Sequence, residues 1–381
     1  VWAYVQTIKP VSNTVDVNQL AFPFDVRASL YVWRARYFTD ERFQPDSNES
    51  DEWNRGAYII KALAHCGACH TPRDALGGSI TSRALQGAQV EEWYAPDISN
   101  GPRSVIRDWD VERLTKFLMG ESENNHVALG SMARVVDDLS RMRPEDVKAV
   151  AVYLKNQPET DTEPPTPRGV AADEATRERW ADVYAANCVS CHGTNGEGLD
   201  GVAASLVGAG GVVAAQPDNI ISVLLEGVAP RGDYGLMPSF RTVLSDEEIA
   251  GVANHVRTSW GNDAPANATA AMVVTLRNMT EAAPGTTAAT TCPAVAADMS
   301  NEAIRKEVTG LAGMSALDSD AMDRLAKAYK EAFPDATLTD TITNLGGLFC
   351  RDVLATGASK GTVVSRQLSF MNALVDIDSR Q

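Results

Sequence analysis

The sequence has few cysteines and histidines and an excess of negative charge. Its 381 residues include six cysteines and five histidines, and 34 lysines and arginines stand against 50 aspartates and glutamates. Nucleic acids and anionic lipids attract clustered positive charge, so the formal net charge of -16 argues against both as partners. No apolar run reaches the roughly 20 residues that a membrane-spanning helix requires. The sequence therefore predicts no transmembrane segment and no nucleic-acid partner.

Length and composition indicate more than one folded domain. With 44% hydrophobic and 22% charged residues, the composition is that of a globular protein rather than a disordered or fibrous one. Domains hold roughly 100–200 residues each, so a chain of 381 residues is too long for one ordinary core. We therefore expect two or three domains.

Most of the cysteines form two pairs with the same spacing, and a histidine directly follows each pair. The two segments read HCGACHTPR at residues 65–73 and NCVSCHG at residues 187–193. In a c-type haem site two cysteines bind the porphyrin and the adjacent histidine binds the iron, so all three must lie on one short helical turn. The sequence therefore predicts two covalently bound haem c groups. Their protein ligands are Cys66, Cys69 and His70, and Cys188, Cys191 and His192.

A Cys₄ zinc site and a thioredoxin-like dithiol are the alternatives for these cysteines. Zinc would require two pairs from distant parts of the chain to converge across a proline-rich segment. The dithiol would require a βαβ pattern near the motif, which the sequence does not show. Both alternatives are weaker than two separate haems.

Each haem iron used for electron transfer needs a second axial ligand, and methionine is the usual partner of histidine in cytochromes c. Met237 is the only methionine between His192 and the next predicted helix, which makes it the predicted ligand there. Packing of Met237 in the core is its alternative role. In the first unit, Met132 follows Gly130 in a loop-like stretch and is the predicted ligand.

Other residues near the first motif are weighed against Met132. His126 is the main rival, because imidazole also binds haem iron. Met119 has helical spacing with leucines and is expected in the core, and Met142 lies directly before the last helix of the unit.

Three further polar residues lie on or near the predicted motifs and helices. His65 and His255 are expected to be structural or exposed to solvent. Arg73 is expected either to neutralise a haem propionate or simply to be exposed.

The same order of elements occurs twice: a helix, the Cys-x-x-Cys-His motif, a long loop and a closing helix. Apolar residues at three- and four-residue steps predict these helices. Pro144 suits the first turn of one closing helix, and Ser245 with Glu248 has the spacing of a capping box before the other. The predicted helices lie at residues 53–65, 145–157, 175–187 and 247–260.

The predicted domains follow from this repeat. The segment QPETDTEPPTPR between the two units contains four prolines and favours an extended linker. Residues 1–10 resemble the end of a closing helix, which indicates the remnant of a preceding haem domain. The predicted divisions are residues 1–51 for the remnant and a linker, 52–157 for the first unit, 158–173 for the proline-rich linker, 174–262 for the second unit, and 263–381 for a C-terminal helical region of unknown role.

The C-terminal region has no third motif. Cys292 and Cys350 are predicted to form a disulfide there, because paired thiols in an exported domain are usually oxidised. Two separate buried thiols are the alternative. Its helices are predicted near residues 302–311, 320–333 and 345–354.

Four segments resemble the multihaem cytochrome c subunit of bacterial periplasmic dehydrogenases, which oxidise alcohols, sugars, gluconate and aldehydes at the inner-membrane surface. They are FPFDVR at 22–27, EWNRGAYIIKALAHCGACHTPRDALGG at 52–78, EEWYAPDIS at 91–99 and MPSFRTVLSDEEIAGVANHVRTSWGN at 237–262. The resemblance covers residues 1–262. It implies a mainly α fold of tandem class I cytochrome c domains, with Met132 and Met237 as distal ligands.

The resemblance also implies a role and a location. The chain is expected to pass electrons from a catalytic dehydrogenase subunit of flavin, quinoprotein or molybdenum type to quinone or a terminal oxidase. It would do so in the periplasm, or peripherally on the inner membrane through partner subunits. The family normally has three haem domains, so a third haem is expected if the missing first domain is present. The alternative is a dihaem enzyme in its own right, such as a peroxidase or a sulfur-compound oxidoreductase, which would need a labile distal ligand.

Overall fold

Helices make up most of the computed structural model. It describes the chain except for residues 1, 15–19, 21, 23–24, 122–125, 159–168, 170–171, 200, 232–233, 283–291, 293–294, 296–298, 359 and 379–381. Most of the predicted proline-rich linker therefore lies outside the described residues. None of the described helices has the length and hydrophobicity of a membrane crossing.

The first unit is a set of helices around one small hairpin. Two short helices precede it, α1 at Trp2–Val5 and α2 at Ser29–Tyr37. Its own helices are α3 at Asp51–Tyr58, extended by a π-helical turn at Ile59–Leu63, then α4 at Gly67–His70, α5 at Val111–Leu118, α6 at Gly130–Leu139 and α7 at Pro144–Lys155. A 3₁₀ turn at Thr81–Arg83 leads into strands β1 at Gln86–Val90 and β2 at Trp93–Asp97.

The hairpin is antiparallel and was not among the predicted elements. Gln86 faces Asp97, and Val90 faces Trp93, so the two strands are joined by a two-residue turn. The strands are short and their residues do not alternate between apolar and polar, and Pro96 would ordinarily count against a strand, which is why periodicity does not reveal them.

The second unit repeats this plan without a hairpin among its described residues. Its helices are α8 at Glu174–Asn187, α9 at Val189–His192, α10 at Gly210–Val213, α11 at Asp218–Glu226 and α12 at Asp246–Thr258. The start of α12 carries the predicted capping box of Ser245 and Glu248, and Pro144 begins α7, so both predicted helix starts are confirmed. These two helices end within two residues of the predicted positions.

The C-terminal region forms five helices in its described residues. They are α13 at Ala270–Ala282, α14 at Glu302–Gly313, α15 at Ser319–Ala332, α16 at Leu338–Ala355 and α17 at Lys360–Asp378. Helices α14 and α15 match two of the predicted helices, and α16 contains the third but begins seven residues earlier, whereas α13 and α17 were not predicted. The disulfide between Cys292 and Cys350 is present, which confirms that prediction.

Three hydrophobic cores organise the described residues. One lies in the first unit around Ile59 and Val147, and one in the second unit around Ile221 and Ile249. The third lies within helices α14 to α17 and includes the stacked ring of Phe349. Helix α13 packs into the core of the second unit through buried residues, Val273 and Leu276, although it follows the predicted boundary at residue 262. The domain divisions stay predictions.

Candidate haem sites

The first motif forms one tight turn, as the haem prediction requires. Cys66 directly precedes α4, and Cys69 and His70 are on it, so all three lie within about one helical turn. His70 is buried at 8% exposure, and its Nδ1 lies 2.7 Å from the carbonyl oxygen of Pro96 in β2. Because a carbonyl oxygen only accepts, Nδ1 carries the proton and Nε2 is left as the unprotonated nitrogen that can bind iron.

The second motif repeats this arrangement. Cys188 precedes α9, and Cys191 and His192 are on it. The Nδ1 atom of His192 lies 3.1 Å from the carbonyl oxygen of Ala204, which selects the same tautomer as in the first motif. Two distant segments thus place two cysteines and a histidine in the same arrangement, and in both the histidine Nδ1 donates to a backbone carbonyl oxygen.

Burial favours the uncharged form of both histidines and of the first cysteine in each motif. It lowers the pKa of His70 and of His192, which favours the neutral imidazole that a metal requires. It also raises the pKa of Cys66 to about 11 and that of Cys188 to about 12. None of the four motif cysteines forms a disulfide, so both pairs are available for thioether bonds. The residues present fit a covalently bound haem c at each motif.

The zinc and dithiol alternatives receive no support. Cys66 packs against the core of the first unit and Cys188 belongs to that of the second, so the pairs do not converge. Within the described ranges no cluster of three or more His, Cys, Asp or Glu residues could hold a metal ion. The strands beside the first motif, β1 and β2, form an antiparallel hairpin, so neither motif lies in a βαβ unit among the described residues.

A close helix crossing holds each motif in place. In the first unit α3 crosses α7 at Gly56, where an added Cβ would lie 1.9 Å from the carbonyl oxygen of Ala149. In the second unit α8 crosses α12 at Gly251, where a Cβ would lie 2.4 Å from the indole of Trp180. Only glycine permits such close contact between the two helices. The contact fixes the leading helix on the closing helix, and it thereby positions the motif that follows the leading helix.

Met237 lies in the core that also contains Cys188. It is partly buried, and its backbone exchanges two hydrogen bonds with Val228, of 2.9 and 2.8 Å. Gly227 has a φ of +71°, and a Cβ there would lie 2.6 Å from the carbonyl oxygen of Met237. Backbone contacts thus fix the loop that carries Met237.

Met132 packs against the core that also contains Cys66, but its local structure differs from the expected one. It lies in the first turn of α6, so the expectation of a loop-like stretch is wrong. Gly130, which suggested a loop, has a φ of +55° and is needed because Trp93 occupies the space beside it; a Cβ would lie 2.5 Å from the indole.

The rival ligand His126 is engaged elsewhere. Its Nδ1 lies 3.4 Å from a guanidinium nitrogen of Arg113, and its Nε2 lies 3.2 Å from the carbonyl oxygen of Gly208 in the second unit. The ring also meets Trp109 edge to face, with centroids 5.2 Å apart. Both ring nitrogens therefore point to partners other than an iron. Met119 and Met142 pack against the core of the first unit, as expected for Met119.

The remaining residues singled out in the sequence have structural roles. His65 is exposed, and His255 lies on α12 against the rings of Tyr184 and Trp260. Arg73 is exposed and donates to the carbonyl oxygens of Gly77 and Ala68, so it braces the loop after the first motif.

Sequence reasoning missed a buried arginine in the second unit. Arg257 is fully buried, and its guanidinium donates to carbonyl oxygens at the end of α10 and directly after it, and to that of Pro265. Burial lowers its pKa to about 10, so it stays charged at neutral pH. Its position four residues after the buried Ala253 places it on the apolar face of α12, and that spacing is the signal that could have identified it. The acceptors are Val212 in the last turn of α10 and Ala214, Ala215 and Gln216 after it.

Direct contacts join the two units near both sites. Tyr94, in the same strand as the carbonyl that orients His70, exchanges two backbone hydrogen bonds of 2.9 Å with the side chain of Asn219. Arg231, in the loop before Met237, forms an ion pair of 2.7 Å with Asp137 on α6. The element that carries Met132 therefore touches the loop that carries Met237.

Comparisons with known proteins find cytochrome subunits of bacterial dehydrogenases among the relatives of this chain. The family described as cytochrome C oxidase, cbb3-type, subunit III matches residues 175–256. The fructose dehydrogenase cytochrome subunit of Gluconobacter japonicus is 34% identical over 291 residues, which cover 68% of this chain and 60% of that protein. The gluconate 2-dehydrogenase cytochrome c subunit of Pantoea cypripedii is 31% identical over 301 residues, 72% of this chain and 67% of that protein.

A further relative shows that the match is to part of a longer protein. A nicotinate dehydrogenase subunit of Pseudomonas putida is 34% identical over 274 residues, which cover 70% of this chain and 23% of that protein. The chain thus spans only part of the length of the relatives that it matches.

Proposed function

Because the chain belongs to the family of cytochrome c subunits of bacterial dehydrogenases, we propose that it carries electrons from a catalytic dehydrogenase subunit towards quinone or a terminal oxidase. The observation that carries this proposal is the duplicated turn in which a histidine donates from Nδ1 to a backbone carbonyl beside two cysteines that form no disulfide. A bound haem c would supply a reversible one-electron iron couple at each turn.

The residues of this chain would bind, orient and shield the two groups. Cys66 and Cys69, and Cys188 and Cys191, would form the thioether bonds. His70 and His192 would be the proximal ligands, and the carbonyl oxygens of Pro96 and Ala204 orient their rings and raise their basicity. We propose two haem c groups in this chain, with a third if a preceding haem domain is part of the whole protein.

Met132 and Met237 are the proposed distal ligands. Each packs against the same core as a cysteine of its motif, and Met237 is additionally fixed through its backbone. With both axial positions of each iron filled by protein, neither site would be open to peroxide or another substrate. Filled axial positions favour an electron-transfer protein over the dihaem-enzyme alternative. The fructose and gluconate dehydrogenase relatives are likewise cytochrome subunits.

The partner and the compartment are proposed from the relatives and from the cysteine chemistry. The relatives are subunits of dehydrogenases for different substrates, so the catalytic partner of this chain would be a dehydrogenase subunit of flavin, quinoprotein or molybdenum type. A disulfide between Cys292 and Cys350 persists in oxidising compartments. We therefore propose the periplasm, in solution or peripherally on the inner membrane through partner subunits.

Ligand replacement tests the proposal directly. Holoprotein with Met237→Ala or Met132→Ala is expected to lose part of the near-infrared charge-transfer absorption that a thioether bond to ferric haem produces. Met119→Leu serves as the matched control, because Met119 packs against the core of the first unit and is not a proposed ligand. An unchanged band in Met132→Ala together with a changed spectrum in His126→Ala would assign the first iron to His126 instead.

A further inference from the structure

The C-terminal helices form a folded body for which the proposed function gives no role. Helices α14 to α17 enclose their own core, in which the rings of Phe349 and Phe370 stack with centroids 4.2 Å apart. The relatives described above match 68% to 72% of this chain, which leaves more than a quarter of it outside those matches. We name α14 to α17 the C-terminal cap, for the reason that follows.

The C-terminal cap packs directly on the second motif. The Ser190 hydroxyl, between the two motif cysteines, lies 2.6 Å from Oδ1 of Asn372 on α17. The Cys191 side chain packs against the core of the cap, and Leu368 of α17 packs against the core that contains Cys188. The cap therefore covers the turn to which the second haem would be attached.

The loops of the second unit complete this interface. Val202, between the motif and Met237, is only 5% exposed and belongs to the core of the cap rather than to that of its own unit. Leu199 and Leu236 also pack against the cap, and the carbonyl oxygen of Val202 accepts from the backbone of Gly235 at 2.9 Å. The contact is thus mainly apolar, as in a permanent interface rather than a transient one.

The first motif has no such cover in the described parts of the chain. Cys69 and the neighbouring Ala68 are exposed, in contrast to the partly buried Cys191 and Ser190. Helix α2 reaches only the loop after this motif, where the indole of Trp33 donates to the carbonyl oxygen of Leu76 at 3.1 Å. Two motifs with the same local geometry therefore differ in their access to solvent.

We propose that the C-terminal cap shields the thioether edge of the second haem from water and from external redox partners, leaving the first site as the one open to them. An apolar shell around a metal site controls solvent access and local dielectric, which is the effect that a cap of this kind has. The inference rests on the proposed function, since it needs a haem at each motif. Electrons would pass between the second site and the outside through the first unit, which contacts the second directly.

Paramagnetic relaxation enhancement by a soluble gadolinium chelate, measured by NMR on the reduced, diamagnetic holoprotein, tests the shielding. The neutral chelate gadodiamide is expected to broaden the thioether methyl proton resonances of the first haem several-fold more than those of the second. Val202→Asn places a polar amide in the core of the cap. The methyl resonances of the second haem should then broaden as much as those of the first. Val207→Asn is the matched control, because Val207 lies in the same loop but is 38% exposed, and it should leave the wild-type contrast unchanged.

Separate readouts distinguish the possible failures. Hydrogen exchange that becomes fast along the face of α17 but stays slow in α16 shows that Val202→Asn has detached a cap that remains folded. Asn372→Ala, which removes only the bond to Ser190, is the milder variant if Val202→Asn unfolds the cap. Equal broadening of both haems in the wild type overturns the shielding proposal, and so does an unchanged second haem when the cap is detached. A pyridine haemochrome assay that finds fewer than two haems refutes the proposed function instead.

Discussion

Replacing Asp146 by asparagine is expected to loosen the closing helix of the first unit. The carboxylate is buried near the start of α7 and accepts from Arg55 on α3 at 2.7 and 3.1 Å, and from Arg143 at 2.8 and 3.0 Å. The hydrogen bonds from Arg55, followed by those from Arg143, lower its pKa to about 2. This charge cluster joins the leading and closing helices that position the first motif.

The magnitude follows from the pKa. A fall of the pKa from an ordinary value near 3.8 to about 2 corresponds to roughly 2 kcal/mol of stabilisation. Solvent screens part of this, because the Arg55 side chain is 41% exposed. We therefore expect Asp146→Asn to lower the free energy of unfolding of the first unit by about 1–2 kcal/mol at neutral pH.

The pH dependence has a definite sign. Since the pKa of Asp146 is lower in the folded state than in the unfolded one, its stabilisation is fully present above about pH 4 and is lost as the pH falls towards 2. Urea denaturation of wild type and variant between pH 7 and pH 2.5 should show a difference that shrinks over this window. Asp138→Asn is the control, because that carboxylate is 79% exposed and 3.5 Å from Arg141. Equal effects of the two variants, or a difference that persists unchanged at pH 2.5, would show that ionised Asp146 does not stabilise the first unit.

Further substitutions compare a tightly packed glycine with an exposed one and test the contribution of the disulfide. Gly56→Ala should destabilise the holoprotein by about 3 kcal/mol, because its Cβ would meet the carbonyl oxygen of Ala149. Gly310→Ala, in an exposed turn of α14 with nothing within 4 Å, should instead stabilise it by about 0.5–1 kcal/mol; thermal unfolding measures both. Removing the Cys292–Cys350 bridge with a double alanine variant should cost the C-terminal cap about 2–4 kcal/mol, seen as faster hydrogen exchange in α16 but not in α7.

Most of the helical framework could be predicted because its signals are local. The closing helices show apolar residues at helical spacing, and Pro144 and Ser245 mark their starts through backbone chemistry that depends only on neighbouring residues. The motif turns were predicted for the same reason, since haem attachment fixes the spacing of two cysteines and a histidine. The fold class was confirmed as mainly α.

The missed elements depend on contacts between distant residues. Helix α17 has weak amphipathic periodicity because it is packed on two sides, through Phe370 against the core of the cap and through Leu368 against the second unit. The start of α6 was misread because Gly130 usually indicates a loop, whereas here Trp93 of a distant strand requires the absence of a side chain. No local pattern contains that information.

Each Cys-x-x-Cys-His turn is proposed to hold one haem c. Intact mass combined with the alkaline pyridine spectrum, on protein exported to a periplasm with cytochrome c maturation, measures the number of bound haems directly. We expect two thioether-linked haems on a chain of 381 residues. A colourless protein, or one haem where both motifs are intact, would contradict this expectation.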